Sequence, residues 1–311
     1  MYMKYEKWMV QHKFYYENAE VKEKRFKIFR DNLQHIERFN LDGNHTYKLG
    51  INKFADLTNE EFLTKYARNF MPSFEVSSSH QSPFAYKNVE DVPSSLDWRD
   101  HNVVTPVQNQ GACGCCWAFS AVTAIEGIIA IRSGKLIPLS EQHIMDCNYN
   151  NEGCKGGRME HAFSFVIQNG GLASDTNYPY TGTQGACNHN TPSSLSTTIS
   201  GFSFVPSGDE TALLAAVANQ PISVAIDPRL FQFYHSGILT GECGTSLTHA
   251  VTLVGYGESE DGIKFWLLKN SWGTGWGDGG YAKVQRNVDA KEGMCGIALY
   301  ATYPIADGVC Q

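Results

Sequence analysis

Apolar residues near the start of the chain recur at helical spacing. Tyr5, Trp8, Met9 and His12 fall on one face of residues 1–16. Further apolar residues follow three or four positions apart, namely Phe26, Phe29, Leu33, Ile36 and Phe39. This spacing is typical of amphipathic helices that pack through one face. It predicts a helical hairpin with a small core of its own.

Along the rest of the chain the pattern predicts helices first and strands afterwards. Residues 117–126 are predominantly apolar and predict a buried helix, and residues 139–147 and 162–168 predict two more, the first capped near Ser140. From Ile199 onward the apolar runs are short and strand-like, at 222–226, 250–254, 265–268 and 281–284, with a hairpin turn at Asp261-Gly262. We therefore expect an α+β fold in which a helical half meets a β-rich half at a cleft.

Length and composition narrow the class of protein. A chain of 311 residues suits two domains, or one domain with an appended segment. Its 42% hydrophobic residues can build a sizeable core, and because it has no run of 18 apolar residues we expect no membrane-spanning segment. No apolar stretch near Met1 resembles a secretory signal peptide, so we expect any such segment to lie outside this sequence.

Charge and cysteine are both unevenly distributed. The net charge of −7 argues against a nucleic-acid partner, and residues 1–92 are near neutral, with 14 basic and 13 acidic side chains. A near-neutral front segment on an acidic body favours an intramolecular partner. All nine cysteines lie between Cys113 and Cys310, which indicates an oxidising compartment and a disulfide framework in the body alone. The odd count leaves at least one thiol over.

The three cysteines Cys113, Cys115 and Cys116 stand in a glycine-rich loop directly before the predicted buried helix. A thiol at a helix N-terminus ionises more easily, which makes Cys116 a candidate nucleophile. Disulfide partners or metal ligands explain this stretch equally well, and these residues alone leave the alternatives open. A metal site would also need paired cysteine or histidine ligands elsewhere.

Three ordered motifs resemble those of the papain family of cysteine proteases. They are Gln110-Gly-x-Cys-Gly-x-Cys116-Trp117, then His249-Ala250, then Asn270-Ser271-Trp272-Gly273. Near the start, Arg25, Phe29, Asn32, Ile36 and Asn40 match a spaced prosegment motif of papain-like zymogens, with a departure at Val21 where the family has glutamate. Gly50-x-Asn52-x-Phe54-x-Asp56 matches a second prosegment motif fully. Some plant enzymes of the senescence-associated kind carry the same Cys-Gly-Cys-Cys-Trp form.

The resemblance implies a papain-like two-domain fold behind a mainly helical propeptide. The expected division is an inhibitory propeptide at 1–91, a helical domain carrying the nucleophile at 92–203, and a β-barrel-like domain carrying His and Asn at 204–311. The active-site cleft would lie between the two domains, and the propeptide would cross it in the direction opposite to a substrate. We also expect acid to loosen the propeptide by protonating paired carboxylates such as Asp56.

The resemblance also implies the role of each candidate site residue. Cys116 would be the nucleophile, His249 the base, Asn270 the residue that orients His249, and Trp272 a cover over that pair. Gln110 and the Cys116 backbone N–H would stabilise the oxyanion. Substrate would contact a backbone strip and a mostly apolar pocket, made by Gly156, Gly157, Arg158, Met159, Ala225, Leu247, Thr248, Ala250, Trp272 and Tyr300. Tyr300 and Arg158 suggest a shortened pocket that favours Val, Leu or Pro over Phe; for Gly156-Gly157 the plainer interpretation is a flexible turn.

Further expectations concern modification. The family pattern pairs Cys113 with Cys154, Cys147 with Cys187 and Cys243 with Cys295, which leaves Cys115, Cys116 and Cys310. Asn44 begins an Asn-His-Thr sequon and is a candidate glycosylation site. The Ser- and Pro-rich stretch at 70–88 predicts an extended, protease-accessible linker.

The function implied is that of a cysteine endopeptidase held as its zymogen, acting on peptides and proteins without cofactor or metal. Expected partners are the propeptide, as intramolecular inhibitor, and cystatin-type inhibitors; the protein is expected to be a monomer with no nucleic-acid or membrane partner. The expected location is the secretory pathway, in a vacuolar or lysosome-like compartment or outside the cell. The alternative is a catalytically silent papain-fold storage or binding protein, which would be marked by loss of Cys116, His249 or Asn270.

Val92-Pro93-Ser94-Ser95-Leu96-Asp97-Trp98 resembles the N-terminus of mature enzymes in this family. We therefore predict that acid-activated protein begins at or near Val92. N-terminal sequencing of the processed chain measures this directly, and a new terminus far from Val92 contradicts it.

Overall fold

Three helices form almost half of the N-terminal segment, residues 1–91. The computed structural model describes residues 1–67, 70, 80–89, 91–188 and 197–306. Within these ranges α1 covers Tyr2–His12, α2 covers Ala19–Asp42 and α3 covers Asn59–Tyr66. The residues that α1 and α2 bury are Tyr5, Trp8, Met9, Phe29, Leu33 and Ile36. The helical hairpin expected from the apolar spacing is present.

Polar residues of α2 hold the loops that follow it. The Asn32 side-chain amide donates to the carbonyls of Ala55 and Leu57, both at 2.8 Å. Asn40 exchanges two hydrogen bonds with the backbone of Leu49, at 2.8 and 3.0 Å. These residues of the spaced motif therefore act inside the N-terminal segment by fixing its loops. Val21, at the position where the motif departs, is exposed.

The helices of the body are α4 at Cys116–Ser133, α5 at Glu141–Cys147, α6 at Met159–Gln168 and α7 at Glu210–Val217. The first fifteen residues of α4 are all buried. By length and composition α4 could cross a membrane, but other parts of the protein cover it, and this burial accounts for its apolar sequence. The hydroxyl of Ser140 caps α5 by accepting the His143 N–H, as expected.

One sheet extends from the N-terminal segment through the body. Its strands are β1 at Tyr47–Leu49, β2 at Leu96–Asp97, β3 at Gly201–Phe204, β4 at Ile222–Ile226, β5 at Tyr234–Leu239, β6 at His249–Glu258, β7 at Lys264–Lys269, β8 at Tyr281–Gln285 and β9 at Ala301–Ile305. The order is β1-β5-β8-β7-β6-β4-β9-β3, with β2 paired to β6. Only β5 and β8 pair in parallel among these strands. The four strands expected from the sequence correspond to β4, β6, β7 and β8.

Two buried hydrogen bonds, made by Ser120 and Ser223, join helix α4 to the sheet; we call this pair of bonds the clasp. The Ser120 hydroxyl donates to the carbonyl of Val251 in β6 at 2.7 Å. The Ser223 hydroxyl in β4 donates to the Ser120 carbonyl at 2.9 Å. Because all three residues are buried, these bonds lie in a low-dielectric environment and fix α4 lengthwise against the two strands. The start of α4 is thereby held beside the start of β6.

The N-terminal segment joins the body through strand pairing and through side-chain hydrogen bonds. Strand β1 pairs antiparallel with β5, where Tyr47 lies opposite Gly237. The Asn52 side chain donates to the carbonyl of Gln232 at 2.7 Å and is buried. Of the predicted linker, residues 71–79 lie outside the described residues, while Gln81 forms a parallel bridge with Phe202. Part of this linker therefore rests on the body.

Gly237 provides a test of the junction between β1 and β5. Its φ of +88° is unfavourable for other residues, and an added Cβ would collide with the backbone of Thr46 and Tyr47. Gly241 has a similar φ of +98° but open space around it. We predict that Gly237→Ala speeds hydrogen exchange of the β1 amides at least tenfold, whereas Gly241→Ala, which carries the same backbone strain, changes it little. Equal effects of the two substitutions would contradict the role of the close contact.

Candidate active site

Cys116 is the first residue of α4, so its thiol lies at the positive end of a long buried helix. That position favours the thiolate form. Burial acts in the opposite direction: the side chain is fully buried, and this raises the pKa of the Cys116 thiol to about 11. In this closed form of the protein the thiol is therefore protonated at neutral pH.

His249 is the first residue of β6 and lies opposite Ile226 of β4. The amide nitrogen of the next residue, Ala250, lies 3.4 Å from the Cys116 sulfur and donates to it. His249 is also fully buried, and this lowers the pKa of its imidazole to about 4. The clasp between α4 and β6 thus brings together the cysteine and the histidine that the motifs single out.

Asn270 directly follows β7 and fixes the tautomer of His249. Its Oδ1 atom lies 2.9 Å from His249 Nε2 and also accepts the N–H of Ser271 at 2.8 Å. Since Oδ1 can only accept, the proton of neutral His249 is on Nε2. This leaves Nδ1 as the acceptor, and it has no hydrogen-bond partner among the described residues. The indole of Trp272 stacks on the imidazole at 4.5 Å and keeps water away from the pair.

Gln110 is held rigidly by two side-chain hydrogen bonds. Its Oε1 accepts from the Ser271 hydroxyl at 2.5 Å, and its Nε2 donates to the Cys113 carbonyl at 2.8 Å. A primary amide has two N–H groups, so one remains for another acceptor. Gln110 is fully buried in the loop that precedes Cys116. Its geometry suits a fixed donor near the start of α4.

Cys115 is a buried free thiol and is not bonded to Cys116. Its sulfur lies 3.1 Å from the Tyr180 hydroxyl, which also donates to the Gln110 carbonyl at 2.7 Å. Burial raises the pKa of the Cys115 thiol far above its usual range. Burial therefore disfavours the reactive thiolate form of Cys115 in this structure.

The predicted substrate strip is occupied by the N-terminal segment itself. Phe70 forms a parallel bridge with Gly157, and its N–H donates to the Thr248 carbonyl at 3.0 Å. A Cβ on Gly157 would collide with the side chains of Trp117 and Asn151, so glycine is required there for packing as well as for access. The parallel pairing leaves a backbone strip at Gly157 that an extended chain can pair with.

The Phe70 side chain packs in the buried cluster that contains most of the residues predicted to line the apolar pocket. Phe70 belongs to the same buried cluster as the predicted lining residues Met159, Ala225, Leu247, Ala250 and Tyr300. Its ring meets the ring of Tyr300 edge-on at 5.1 Å. A phenyl ring packs beside Tyr300 here, which argues against the expected preference for Val, Leu or Pro over Phe; that preference stays a prediction. The Tyr300 hydroxyl donates a hydrogen bond to Glu160 at 2.8 Å, and this bond fixes the orientation of the Tyr300 ring.

The Arg158 side chain, predicted to lie at the pocket rim, is held by contacts with two neighbouring side chains. Its Nε atom lies 2.8 Å from Glu160 Oε1, and its guanidinium also contacts His161. Glu160 is fully buried and, although burial raises the pKa of its carboxyl, it accepts from Tyr300 on the same oxygen. Nothing in the sequence indicates that Glu160 contacts Tyr300 and Arg158, because an acidic residue in the first turn of a helix is common.

The remaining predicted residues have definite positions. The structure contains the disulfides Cys113–Cys154, Cys147–Cys187 and Cys243–Cys295, the pairs that the resemblance implies. Cys113 is thereby unavailable for a thiolate metal site, and no three His, Cys, Asp or Glu side chains within the described ranges are grouped to hold a metal ion. Asn44 is exposed, and Cys310 lies outside the described residues.

Sequence reasoning missed the residues that support the site. Ser271 bonds Gln110 through its side chain and Asn270 through its backbone, so it couples the two. Ser271 lies inside the Asn-Ser-Trp motif, and this position could have indicated its role. The sequence around Ser120 and Ser223 indicates no role, because a serine in a buried helix or strand has many possible hydrogen-bond partners.

Comparison with known proteins shows to which protein family the chain belongs. A family model described as "Papain family cysteine protease" matches residues 92–305, more than half of the chain.

The chain belongs to the papain family of cysteine proteases. A second model, described as "Cathepsin propeptide inhibitor domain", matches residues 5–62. This papain-family protein therefore carries its own inhibitory propeptide, and it is a cysteine endopeptidase in zymogen form. Among curated relatives, a senescence-specific cysteine protease of Arabidopsis thaliana (SAG12) is 48% identical over 305 residues, covering 96% of this chain and 88% of that protein. Vignain of Vigna mungo is 48% identical over 307 residues, covering 97% and 84%.

Solved zymogen structures share the whole architecture. The proform of the ragweed pollen cysteine protease Amb a 11 has a TM-score of 0.90 at 44% identity and covers 97% of this chain and 94% of its own. The recombinant stem bromelain precursor has a TM-score of 0.88 at 43% identity, with 98% of both chains covered. Family and disulfides place the papain-like zymogen in the secretory pathway. Nothing in these comparisons supports the storage-protein alternative.

The buried thiol yields a prediction about reactivity. At pH 7 a thiol with a pKa of about 11 is ionised in only about one molecule in ten thousand. We predict that iodoacetamide labels Cys116 at least a hundredfold more slowly in the zymogen than after removal of the propeptide. Tandem mass spectrometry distinguishes Cys116 from Cys115, which serves as the internal control. Equal labelling of Cys116 before and after removal would contradict the burial argument.

Proposed function

We propose that Cys116, His249 and Asn270 form the catalytic triad of this endopeptidase. The observation that carries the proposal is the bond between Asn270 Oδ1 and His249 Nε2, which leaves Nδ1 free to take the proton of the thiol at the start of α4. Removal of the propeptide would restore water and raise the His249 pKa. A thiolate–imidazolium pair can then form.

The reaction follows from these roles. The Cys116 thiolate attacks the peptide carbonyl carbon and forms a tetrahedral oxyanion. Collapse breaks the C–N bond, and imidazolium His249 gives its proton to the leaving amine, which departs and leaves a thioester on Cys116. Water, deprotonated by His249, then attacks the thioester carbonyl carbon. Collapse breaks the C–S bond, so the carboxylic acid product departs and Cys116 is left as a thiolate beside protonated His249. The remaining N–H of Gln110 and the Cys116 N–H stabilise the oxyanion in both steps.

For the domains, we propose an inhibitory propeptide at 1–91, a helical domain at 92–203 and a β-rich domain at 204–311. The match of a propeptide model to residues 5–62 and of a protease model to residues 92–305 supports the first boundary. The second boundary falls within β3, whose pairing with β9 suggests placing it a few residues earlier. Exposed Asp91 and the neighbouring Lys87 and Asn88 suit cleavage near Val92.

Substrates are expected to bind along Gly156-Gly157 in the direction opposite to the propeptide. The second residue upstream of the scissile bond would enter the pocket that Phe70 fills, lined by Met159, Ala225, Leu247, Ala250 and Tyr300. The seating of Phe70 supports a preference for apolar side chains in general, with Phe accepted beside Leu and Val. Arg158, Thr248 and Trp272 would bound the cleft.

Acid activation can be carried by His249. We take the pKa of His249 as 6.5 after release of the propeptide, and burial lowers it to about 4 in the zymogen. Protonation of His249 therefore favours the released state over the docked state. Docking is fully stable above pH 6.5 and weakens as the pH falls toward 4, by up to about 3 kcal/mol. Phe54 and Phe62 of the propeptide cover Trp272 edge-on and so contribute to this burial.

The direction of the Asp56 pKa shift does not support the expectation that protonation of this carboxylate loosens the propeptide. Burial raises the pKa of Asp56 despite the hydrogen bond from Tyr16, so its protonation does not weaken the folded propeptide. Glu61 is the better candidate carboxylate. Burial opposes ionisation there, but the Arg25 bond at 2.7 Å lowers its pKa overall. Its contribution is present above its ordinary pKa and is lost only as the pH falls through the lowered value.

The finer biological setting is also proposed. A vacuolar compartment would supply the acid that His249 requires, and a cleft that accepts an extended segment would accept cystatin-type inhibitors. A monomer is sufficient because one chain provides all the catalytic groups. Glycosylation at Asn44 is compatible with its exposure.

The test is hydrolysis of fluorogenic dipeptides with Val, Leu or Phe before Arg, with thiol reductant, before and after incubation at different pH values. We predict that activity develops at least tenfold faster at pH 4.5 than at pH 7, together with loss of about 10 kDa, and that an epoxysuccinyl inhibitor blocks it. Cys116→Ala is the matched control and should show neither activity nor self-processing. Activation as fast at pH 7 would contradict the His249 mechanism, and a trimmed, reduced but inactive protein would contradict the proposed triad.

A further inference from the structure

A cavity of about 460 Å³ lies between α3 of the propeptide and the loop that follows β4. Its walls in the body include Arg229, Ser246 and Thr248. Thr248 directly precedes His249, and its N–H donates to the carbonyl of Ile226, the last residue of β4. The cavity therefore adjoins the base of the proposed triad.

The path of the propeptide indicates which side of the scissile bond this cavity serves. The Gly157 strip with Phe70 marks the acyl side, where the residues upstream of the bond would bind. Phe62 of α3 packs edge-on against Trp272, which stacks on His249, so α3 lies on the His249 side of the site. Because the chain runs from α3 to Phe70 at the Gly157 strip, we infer that the cavity beneath α3 lies toward the other end of the cleft. Removal of the propeptide would open this wall to the residues that follow the scissile bond.

Arg229 is fixed in this wall in a definite orientation. Its guanidinium meets the Asp227 carboxylate through two contacts, Nε to Oδ1 at 3.0 Å and Nη2 to Oδ2 at 2.8 Å. Asp227 is buried and also accepts the backbone N–H groups of Arg229 and Ser246. Gly244 lies against both side chains, and a Cβ there would overlap them. The guanidinium is therefore ordered before any substrate binds.

The same group has capacity left for a ligand. Asp227 takes two of the five guanidinium N–H groups, and the Arg229 side chain is 50% exposed. The remaining body residues of the wall, Ser246 and Thr248, are uncharged. In the zymogen the facing wall carries Glu60 of α3, while Asn59 donates to the Arg229 carbonyl at 3.1 Å. The propeptide thus already sets a carboxylate across the cavity from this arginine.

We propose that Arg229 is a specificity-determining residue that favours an acidic side chain within two residues after the scissile bond. A substrate carboxylate there would meet the free N–H groups of a fixed guanidinium. Because Asp227 neutralises part of the charge and the site is half open to water, the preference is modest, about three- to tenfold in kcat/KM. The inference rests on the proposed function of the cleft.

The chain offers a matched control for this residue. Arg99 forms a similar pair with the carboxylate two positions earlier, Asp97, through three contacts, and is 40% exposed. Arg99 lies on a different surface, where its guanidinium stacks on Tyr281. Arg99→Gln therefore removes the same charge outside the cleft.

The experiment uses acid-activated enzyme and internally quenched peptides that are identical except for Glu, Gln or Lys at the first or second position after the scissile bond. At pH 6 the Glu carboxylate is ionised. The expected result is a Glu-to-Gln ratio of kcat/KM between about three and ten at one of the two positions, with Lys below Gln. The ratio should fall to about one in Arg229→Gln and persist in Arg99→Gln.

Two further measurements keep the outcomes separate. A dipeptide coumarin substrate has no amino acid after the scissile bond, so failure of wild-type enzyme to cleave it overturns the proposed function and not the role of Arg229. If Arg229→Gln fails to fold, the wild-type ratio at low and high salt decides, because screening should reduce a genuine charge preference. A wild-type ratio of one or less, a ratio that salt leaves unchanged, or one that survives Arg229→Gln overturns the proposal.

Discussion

The packing of α4 on β6 and β4 is the constraint on which the site depends. A helix buried along fifteen residues cannot slide without opening cavities, and the hydroxyls of Ser120 and Ser223 fix its position against the strands. Cys116 and His249 are the first residues of their elements, so the clasp sets their relation directly. Ser271 then links the two flanking groups, Gln110 and Asn270, to one point of the chain.

The propeptide contacts the surfaces that we propose for catalysis. The propeptide places Phe70 on the strip and in the pocket that would receive substrate, and it covers Trp272 with Phe54 and Phe62. The resulting burial holds the cysteine neutral and lowers the His249 pKa. Both side chains are fully buried in the zymogen, which disfavours their charged forms. The pH response that we propose then acts through the histidine itself.

Much of this could be read from the sequence. Spaced apolar residues predicted the helical hairpin, the buried helix and the four central strands, because period and burial are local properties. Ordered motifs predicted Cys116, His249, Asn270 and Gln110 as candidate site residues. The pocket was harder to predict: Tyr300 is turned aside by Glu160, and only the fold brings those two residues together. The direction of the Asp56 pKa shift likewise depends on burial, which motif spacing does not reveal.

Strand β1 belongs to the propeptide but completes the sheet of the body. Loss of the propeptide turns β5 from an interior strand into an edge. An open edge exposes unpaired backbone groups and invites pairing between molecules. Here the exposed stretch is His235-Ser236-Gly237, polar and bent by the left-handed Gly237. The glycine that admits β1 in the zymogen therefore leaves the mature enzyme with an irregular edge, a feature that disfavours such pairing.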